Sequence, residues 1–296
     1  MTTGTDRRSV LTGLGALGVA GCGDVSEIKV TPGVWEVDLS ALEAANGGRI
    51  GLEARDWNMV SWRAQERFNY CSTFKLFLAV ATLQRVQRGE ERLDRAVQIT
   101  AADMVSHAPI TEPAVGSTLT IRELCKGTVE VSDNPAANIL IRELGGLDIW
   151  RAWYRSIGDQ STTVDRVEPM MNRKDGDKDT ITPSQAVTNL TRVFGAGEIP
   201  PVLNPELMAL LRGWLIASPT GGNRIKGGTP TNWTVAHKTG TGGRGQTNDI
   251  GVIEPVSGER IRIAIYYDAP ESLPVERREA VIAEATRMAL KALGHD

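Results

Sequence analysis

Ser72 and Lys75 stand three residues apart in "NYCSTFK" (69–75), at the head of an apolar run. At helical spacing such a pair shares one face, with Cβ atoms about 5–6 Å apart. A hydroxyl is a weak nucleophile until a base takes its proton, and a lysine desolvated among apolar side chains has the lowered pKa that suits it to that task. The pairing alone carries little, because Ser-x-x-Lys arises by chance about once in a chain of this length. Two further segments add what the chemistry needs. "VSDN" (131–134) puts Ser132 and Asn134 in a turn between helical patterns, where side chains can point into a site. "HKTGTGG" (237–243) puts Lys238 and Thr239 on a strand, followed by glycines that let a substrate come close to the backbone.

The elements that must hold these residues can be read from periodicity. "RIGLEARDW" (49–57) and "VSWRAQERF" (60–68) are two strand-like runs around Asn58-Met59, a candidate hairpin. "TVAHKTG" (234–240), "DIGVIEP" (249–255) and "RIRIAIYYD" (260–268) read as strands, and helical patterning returns from Val275 to Leu293. The middle is helical. Thr120 and Glu123 form a capping box, "TPSQ" (182–185) repeats the device with Pro183 at the first helical position, and "NPAANILIRELGG" stops at Gly145-Gly146. From Ser72 to Arg88 almost no polar face remains, so that helix is expected at the centre. Strands first and last with helices between imply an α/β (α+β) fold: an antiparallel sheet flanked by helices and built from both chain ends, with an all-helical domain inserted. The expected boundaries are 30–68 with 219–296 for the α/β domain and 69–218 for the helical one, with the active site in the cleft between them.

Composition narrows the partners. The chain has 296 residues, 41% apolar and 23% charged, with net charge −3. No basic tract offers a footprint for nucleic acid. His107, His237 and His295 are scattered without ligand spacing, so a zinc site is not expected. Residues 1–22 have the layout of an export signal, with Arg7-Arg8 before an apolar stretch, and the paired arginines suggest the twin-arginine route. "VAGC" resembles the box that ends in a lipidated cysteine, which would tether the chain at Cys22; cleavage without lipid is the alternative. Either way the mature protein is expected to be exported, periplasmic or lipid-anchored at the membrane.

The ordered set Ser72-x-x-Lys75, Ser132-Asp133-Asn134 and Lys238-Thr239-Gly240 resembles the signature of penicillin-binding proteins and class A β-lactamases. The resemblance extends over roughly residues 30–294. "RVEPMMN" (166–172) is similar to the omega-loop motif of the class A enzymes, and by that likeness Glu168 and Asn172 would hold the deacylating water, with Arg166 pairing Asp179 across the loop's base. It implies a monomeric, cofactor-free hydrolase of β-lactams. Ser72 would attack the lactam carbonyl, with Lys75 or a Glu168-activated water as base. Ser132, its hydroxyl between Lys75 and Lys238, would pass a proton to the departing nitrogen. The backbone N–H groups of Ser72 and Thr241 would form the oxyanion hole. Asn134 would bind the substrate's side-chain amide, and Lys238, Thr239 and Thr241 its carboxylate. Glu168 separates this reading from its alternatives, a D-alanyl-D-alanine peptidase or a non-catalytic β-lactam sensor, which acylate and stall.

Departures from the family pattern are also legible. "RKDGDK" (173–178) is about two residues shorter than common members' loops. An arginine many members carry after the lysine motif is replaced by Thr247, and Arg224 is expected to supply that charge instead. His107 falls where the family has an aromatic gate. The residue facing Cys71 in disulfide-bearing members is Gly242, and the partner position of Cys125 is Ala79, so both thiols are expected to be free.

Overall fold

The computed structural model describes residues 33–295; the expected export signal (1–22), the anchor cysteine Cys22 and the first residues of the 30–68 segment lie outside them. Three strands come from the first part of the chain, β1 (Val34–Glu36), β2 (Arg49–Arg55) and β3 (Met59–Trp62). Four short strands follow, β4 (Phe68–Asn69), β5 (Ala96–Gln98), β6 (Thr118–Thr120) and β7 (Thr180–Ile181). The last three are long: β8 (Thr234–Thr241), β9 (Gln246–Glu254) and β10 (Ile261–Asp268). One six-stranded sheet runs β1-β3-β2-β10-β9-β8, so strands from the two parts of the chain meet where β2 pairs with β10.

The expected antiparallel sheet needs one correction: its edge strand β1 runs parallel to β3, in register Val34↔Met59. The expected hairpin forms, but its second strand stops at Trp62 because Arg63 takes a positive φ of 45° that no extended strand can hold. Phe68-Asn69 instead pairs with Thr180-Ile181, tying the approach to Ser72 to the segment that follows Glu168.

Helices α1 (Ser40–Asn46), α2 (Phe74–Gln87), α3 (Ile121–Glu130), α4 (Asn134–Leu144) and α5 (Leu147–Ser156) are followed by α6 (Pro183–Phe194), α7 (Pro205–Ala217), α8 (Ile225–Gly228) and α9 (Val275–Ala292). Two cores lie on opposite faces of the sheet. Alternation along the strands divides them: Ile50, Leu52, Ile263, Ile265 and Tyr267 join Ile225 and the inner face of α9, whereas Ala236, Ile250, Val252, Ala264 and Tyr266 join the helical body. Each fully buried Ile or Leu contributes about 1.5–3 kcal/mol of transfer free energy. The run Phe74–Leu83 of α2 is buried without a break, so the helix that starts beside Ser72 sits at the centre of the helical body.

Local sequence sets the joints around the site. Thr120 and Glu123 close the expected capping box on α3. Thr182 caps α6 by accepting from Gln185 N, but Gln185 does not reach back; its amide turns to Asn189 instead. Gly145 ends α4 at φ 112°, a conformation open chiefly to glycine.

Candidate active site

Ser72 lies in a single 3-10 turn, Cys71–Thr73, that feeds α2. The strand β8 lies against this turn so closely that a Cβ on Gly240 would stand 2.9 Å from the Tyr70 carbonyl and 3.1 Å from Ser72 N. Gly240 is therefore required by packing, since any side chain there pushes β8 off the turn that carries Ser72. Four of the five non-glycine residues with positive φ among those described, Cys71, His107, Ser132 and Asp179, border this region. Such backbone persists only where its surroundings over-determine it.

Asp133 supplies that determination for the Ser132 corner. It caps α4 by accepting from Ala136 N, and its carboxylate also takes Ile110 N, Thr111 N and the Thr111 hydroxyl. Asn134, next in line, accepts from Lys75 Nζ at 2.6 Å through Oδ1 and donates to the Ser106 carbonyl through Nδ2. His107 is exposed beside this corner; its Nε2 contacts the Val131 carbonyl at 2.8 Å and so must carry the proton.

Ser72, Lys75, Glu168 and Lys238 are buried together, with at most 9% exposure each. Their connections differ from the expected Ser-Lys pairing. The Ser72 hydroxyl donates to Glu168 Oε1 at 3.3 Å, and the same oxygen lies 3.0 Å from Lys75 Nζ. Lys75 Nζ also donates to the Ser132 carbonyl at 2.7 Å and stands 3.3 Å from Ser132 Oγ. Glu168 thus stands between Ser72 and Lys75, and no direct Ser72–Lys75 hydrogen bond exists among the described residues. Nor does Ser132 bridge the two lysines as expected: Lys238 Nζ donates to its neighbour's carbonyl, Thr239 O, at 3.0 Å.

Burial sets the electrostatics. Desolvation lowers the Lys75 pKa despite the opposing charge of Glu168. It lowers that of Lys238 further, with the positive charge of Lys75 adding to the effect. The Cys71 thiol is pushed well up by the same burial, with Glu168 adding to it, and the Cys125 thiol is pushed up to about 12. Both cysteines are free and inert on these grounds.

The loop that carries Glu168 is tied down at its base and from α4. Arg166 Nε meets the buried Asp179 carboxylate at 2.6 Å, and that carboxylate also accepts from Asp165 N and the Tyr70 hydroxyl. Asn138 clamps the loop from α4, exchanging hydrogen bonds with Glu168 N and Glu168 O. Asn172 donates to Glu168 Oε2, while its own Oδ1 is buried with no protein donor among the described residues.

On the β8 side the side chains are committed. Arg224, 5% exposed, donates to the carbonyls of Gly240 and Asn248, to Thr241 Oγ1 at 2.9 Å and to Glu279. It thus reaches the expected corner, holding Thr241 while one N–H of Nη2 remains. Thr247 is buried and bonded to the Gly245 carbonyl. A hydroxyl chain runs from Thr239 through Thr220 to Ser218 at 2.9 Å steps and ends on the Glu130 carbonyl. Each hydroxyl has one proton. Because Ser218 must give its proton to a carbonyl, Thr220 donates to Ser218 and Thr239 donates to Thr220. Asn138, Ser218 and Thr220 were not identified as site residues from sequence, and Asp133 was read only as the middle of the Ser132-Asp133-Asn134 motif; of the first three, only Asn138 carried a usable signal, one helical turn beyond Asn134.

The model of the β-lactamase enzyme family matches residues 35–293. Similar relatives include β-lactamase CTX-M-8 of Citrobacter amalonaticus, 38% identical over 83% of this chain and 85% of its own, and β-lactamase L2 of Stenotrophomonas maltophilia, 37% identical over 87% and 85%. Among solved structures, the class A β-lactamase of Mycobacterium abscessus superposes with a TM-score of 0.81 at 41% identity, covering 86% of this chain and 98% of that one.

Proposed function

The chain belongs to the β-lactamase enzyme family as a class A serine enzyme that hydrolyses β-lactams and gives resistance to them, and on that premise we propose its route. The reading rests on one observation: Glu168 Oε1 lies within hydrogen-bond reach of both Ser72 Oγ (3.3 Å) and Lys75 Nζ (3.0 Å). The three closest oxygens around Lys75 Nζ, on Ser132 O, Asn134 and Glu168, are all acceptors, so the ammonium's three protons are engaged. Glu168 therefore takes the Ser72 proton as Oγ bonds to the lactam carbonyl carbon. When the C–N bond breaks, Ser132 gives its proton to the nitrogen, Lys75 Nζ replaces it across 3.3 Å, and Glu168 returns the first proton to Lys75. Each group ends as it began, and the lowered pKa of Lys75 eases its part of the transfer.

Deacylation follows from the same carboxylate. A water donating to Glu168 and to the buried Asn172 Oδ1 would be aimed at the ester on Ser72. Oxyanion stabilisation falls to the N–H groups of Ser72 and Thr241, and the ring carboxylate to Lys238, Thr241 and the remaining Arg224 donor. Asn134 keeps one amide N–H for the substrate's side-chain carbonyl.

Penicillins and cephalosporins are the proposed substrates. The chain is proposed to act as a monomer, as its resemblance to the family implies, and to be exported on the strength of Arg7-Arg8 and the apolar stretch behind them, with Cys22 as the site of a lipid tether. Purified protein should hydrolyse a chromogenic cephalosporin with multiple turnovers, and intact mass during turnover should place a transient adduct on Ser72. A lasting adduct without turnover would sink the route and indicate a penicillin-binding peptidase.

A further inference from the structure

His237 stands on β8 one residue before Lys238 and takes no part in the proton route. Its ring is 1% exposed, and the carboxylate it meets is fully buried: Nδ1 lies 3.0 and 2.8 Å from the two oxygens of Asp249 on β9. Facing a carboxylate, Nδ1 must carry a proton. Such a pair is costly to take out of water and adds little to stability on balance, so its further contacts are what give it a use. Asp249 Oδ2 also accepts from Ile225 N at 3.1 Å. Ile225 follows Arg224, so one carboxylate fastens the backbone beside that arginine to both strands. On the other side, Arg224 N donates to the Gly221 carbonyl at 2.9 Å. Gly221 is wedged against β8: at its φ of 72°, a Cβ would stand 2.3 Å from Thr239 Cγ2, 3.1 Å from His237 Cε1 and 3.6 Å from Arg224 Cδ. His237, Thr239 and Thr241 share one face of β8, and Arg224 Nη2 reaches Thr241 Oγ1 on that face.

We propose that His237 and Asp249 are positioning residues for the recognition of the substrate's ring carboxylate, acting through the backbone that carries Arg224. The inference goes beyond the proton route and rests on the assignment of that carboxylate to Arg224 and Lys238. His237 orients the Asp249 carboxylate, the carboxylate holds Ile225 N, and the short chain from Gly221 to Ile225 then aims the guanidinium. The aim matters because Nη2 keeps a single N–H for the substrate, and a hydrogen bond weakens steeply once it is misaligned. Without the imidazole donor the Asp249 carboxylate is free to turn, and the hold on Ile225 N goes with it. Asp249 also bears on Lys238 across the strand: burial and the charge of Lys75 lower the Lys238 pKa, and Asp249 is the first charge that opposes them.

The test is steady-state hydrolysis of benzylpenicillin, which carries the ring carboxylate, by the parent, His237→Leu, Arg224→Ala and the two substitutions combined. His237→Leu should raise KM about three- to tenfold, part of the worth of a hydrogen bond to a charged group, with kcat within about twofold of the parent. Added to Arg224→Ala it should change KM by less than about twofold, because the two side chains act as one unit. His237→Asn, whose Nδ2 can stand where Nδ1 does, should keep the parent's KM. A fall in kcat as large as the rise in KM, an equal rise in the Arg224→Ala background, or an asparagine variant as impaired as the leucine one overturns the proposal. If His237→Leu does not fold, His237→Leu/Asp249→Leu removes both partners and strands no charge, and its KM must rise at least as far. Arg224→Ala alone tests the reading beneath: a KM equal to the parent's strikes the assignment of the carboxylate to Arg224, whereas a raised KM there with none in His237→Leu strikes the pair.

Discussion

Glu168 accepts the Ser72 hydroxyl directly, at 3.3 Å, with Lys75 on the same oxygen's other side. On the proposed route both half-reactions depend on this one carboxylate. Glu168→Gln should lower kcat by about a hundred- to ten-thousandfold, as expected for loss of a positioned base. Acylation should also slow, and whatever adduct forms on Ser72 should persist. Rapid-quench mass spectrometry separates the two steps; acylation at the parent rate would return the first proton transfer to Lys75.

The buried Lys238 gives stability a sign with pH. Its proton leaves the folded protein well below the ordinary 10.5, while the unfolded chain keeps it up to that value. Between those limits the unfolded state binds more protons, so stability rises with pH through the interval. Lys238→Met should stabilise the fold by about 1–3 kcal/mol at neutral pH, with the gain shrinking as pH approaches 10.5. Calorimetric Tm of the two proteins across pH 7 to 10 measures the difference, and a constant gap would contradict it.

The hydroxyl chain commits the Thr239 proton to Thr220, away from the cleft. A substrate carboxylate must compete for it. In Thr220→Val that proton is free, so KM for substrates bearing the ring carboxylate should fall about two- to fivefold, the worth of a modest hydrogen bond, with kcat little changed. A raised KM would mean that Thr220 serves to hold the Thr239 side chain in place.

Asp179 is fully buried and relies on Arg166, which is partly exposed. Arg166→Met leaves that charge without its cation and should cost about 2–4 kcal/mol, somewhat under the usual penalty for breaking a buried pair. Because the loop carries Glu168, deacylation should slow more than acylation. Equal slowing of both steps would show that the loop keeps its place.

Stability should not depend on reducing conditions. Cys71 and Cys125 are buried, free and raised in pKa, so dithiothreitol should leave Tm unchanged and iodoacetamide should label neither in the native protein.

The three motifs were legible because each sits on an element with a local signature: an apolar helix behind Ser72, a capped helix before Ser132, a strand under Lys238. The partnering among them was not. Spacing places Lys75 on the face of Ser72, but only the folded omega loop shows that Glu168 comes between them. The parallel edge strand escaped notice because a three-residue run has no periodicity to read. Asp133 and Thr220 act through partners 22 and 19 residues away, contacts that no local pattern encodes.

The pairing of β2 with β10, residues 49–55 against 262–268, also governs when the enzyme comes into being. A ladder between such distant segments closes only after most of the chain is available, and distant pairings are intrinsically slow to form. The helical body holds Ser72, Lys75 and Glu168, yet the turn bearing Ser72 is pressed into place by Gly240 of a strand in that late-closing sheet. A nascent chain stopped anywhere before residue 262 lacks the strand that joins β9 to β2, and with it a fixed seat for the lysine of β8. Antibiotic resistance from this gene product would begin as a step at the end of synthesis, with no partial activity from shorter chains.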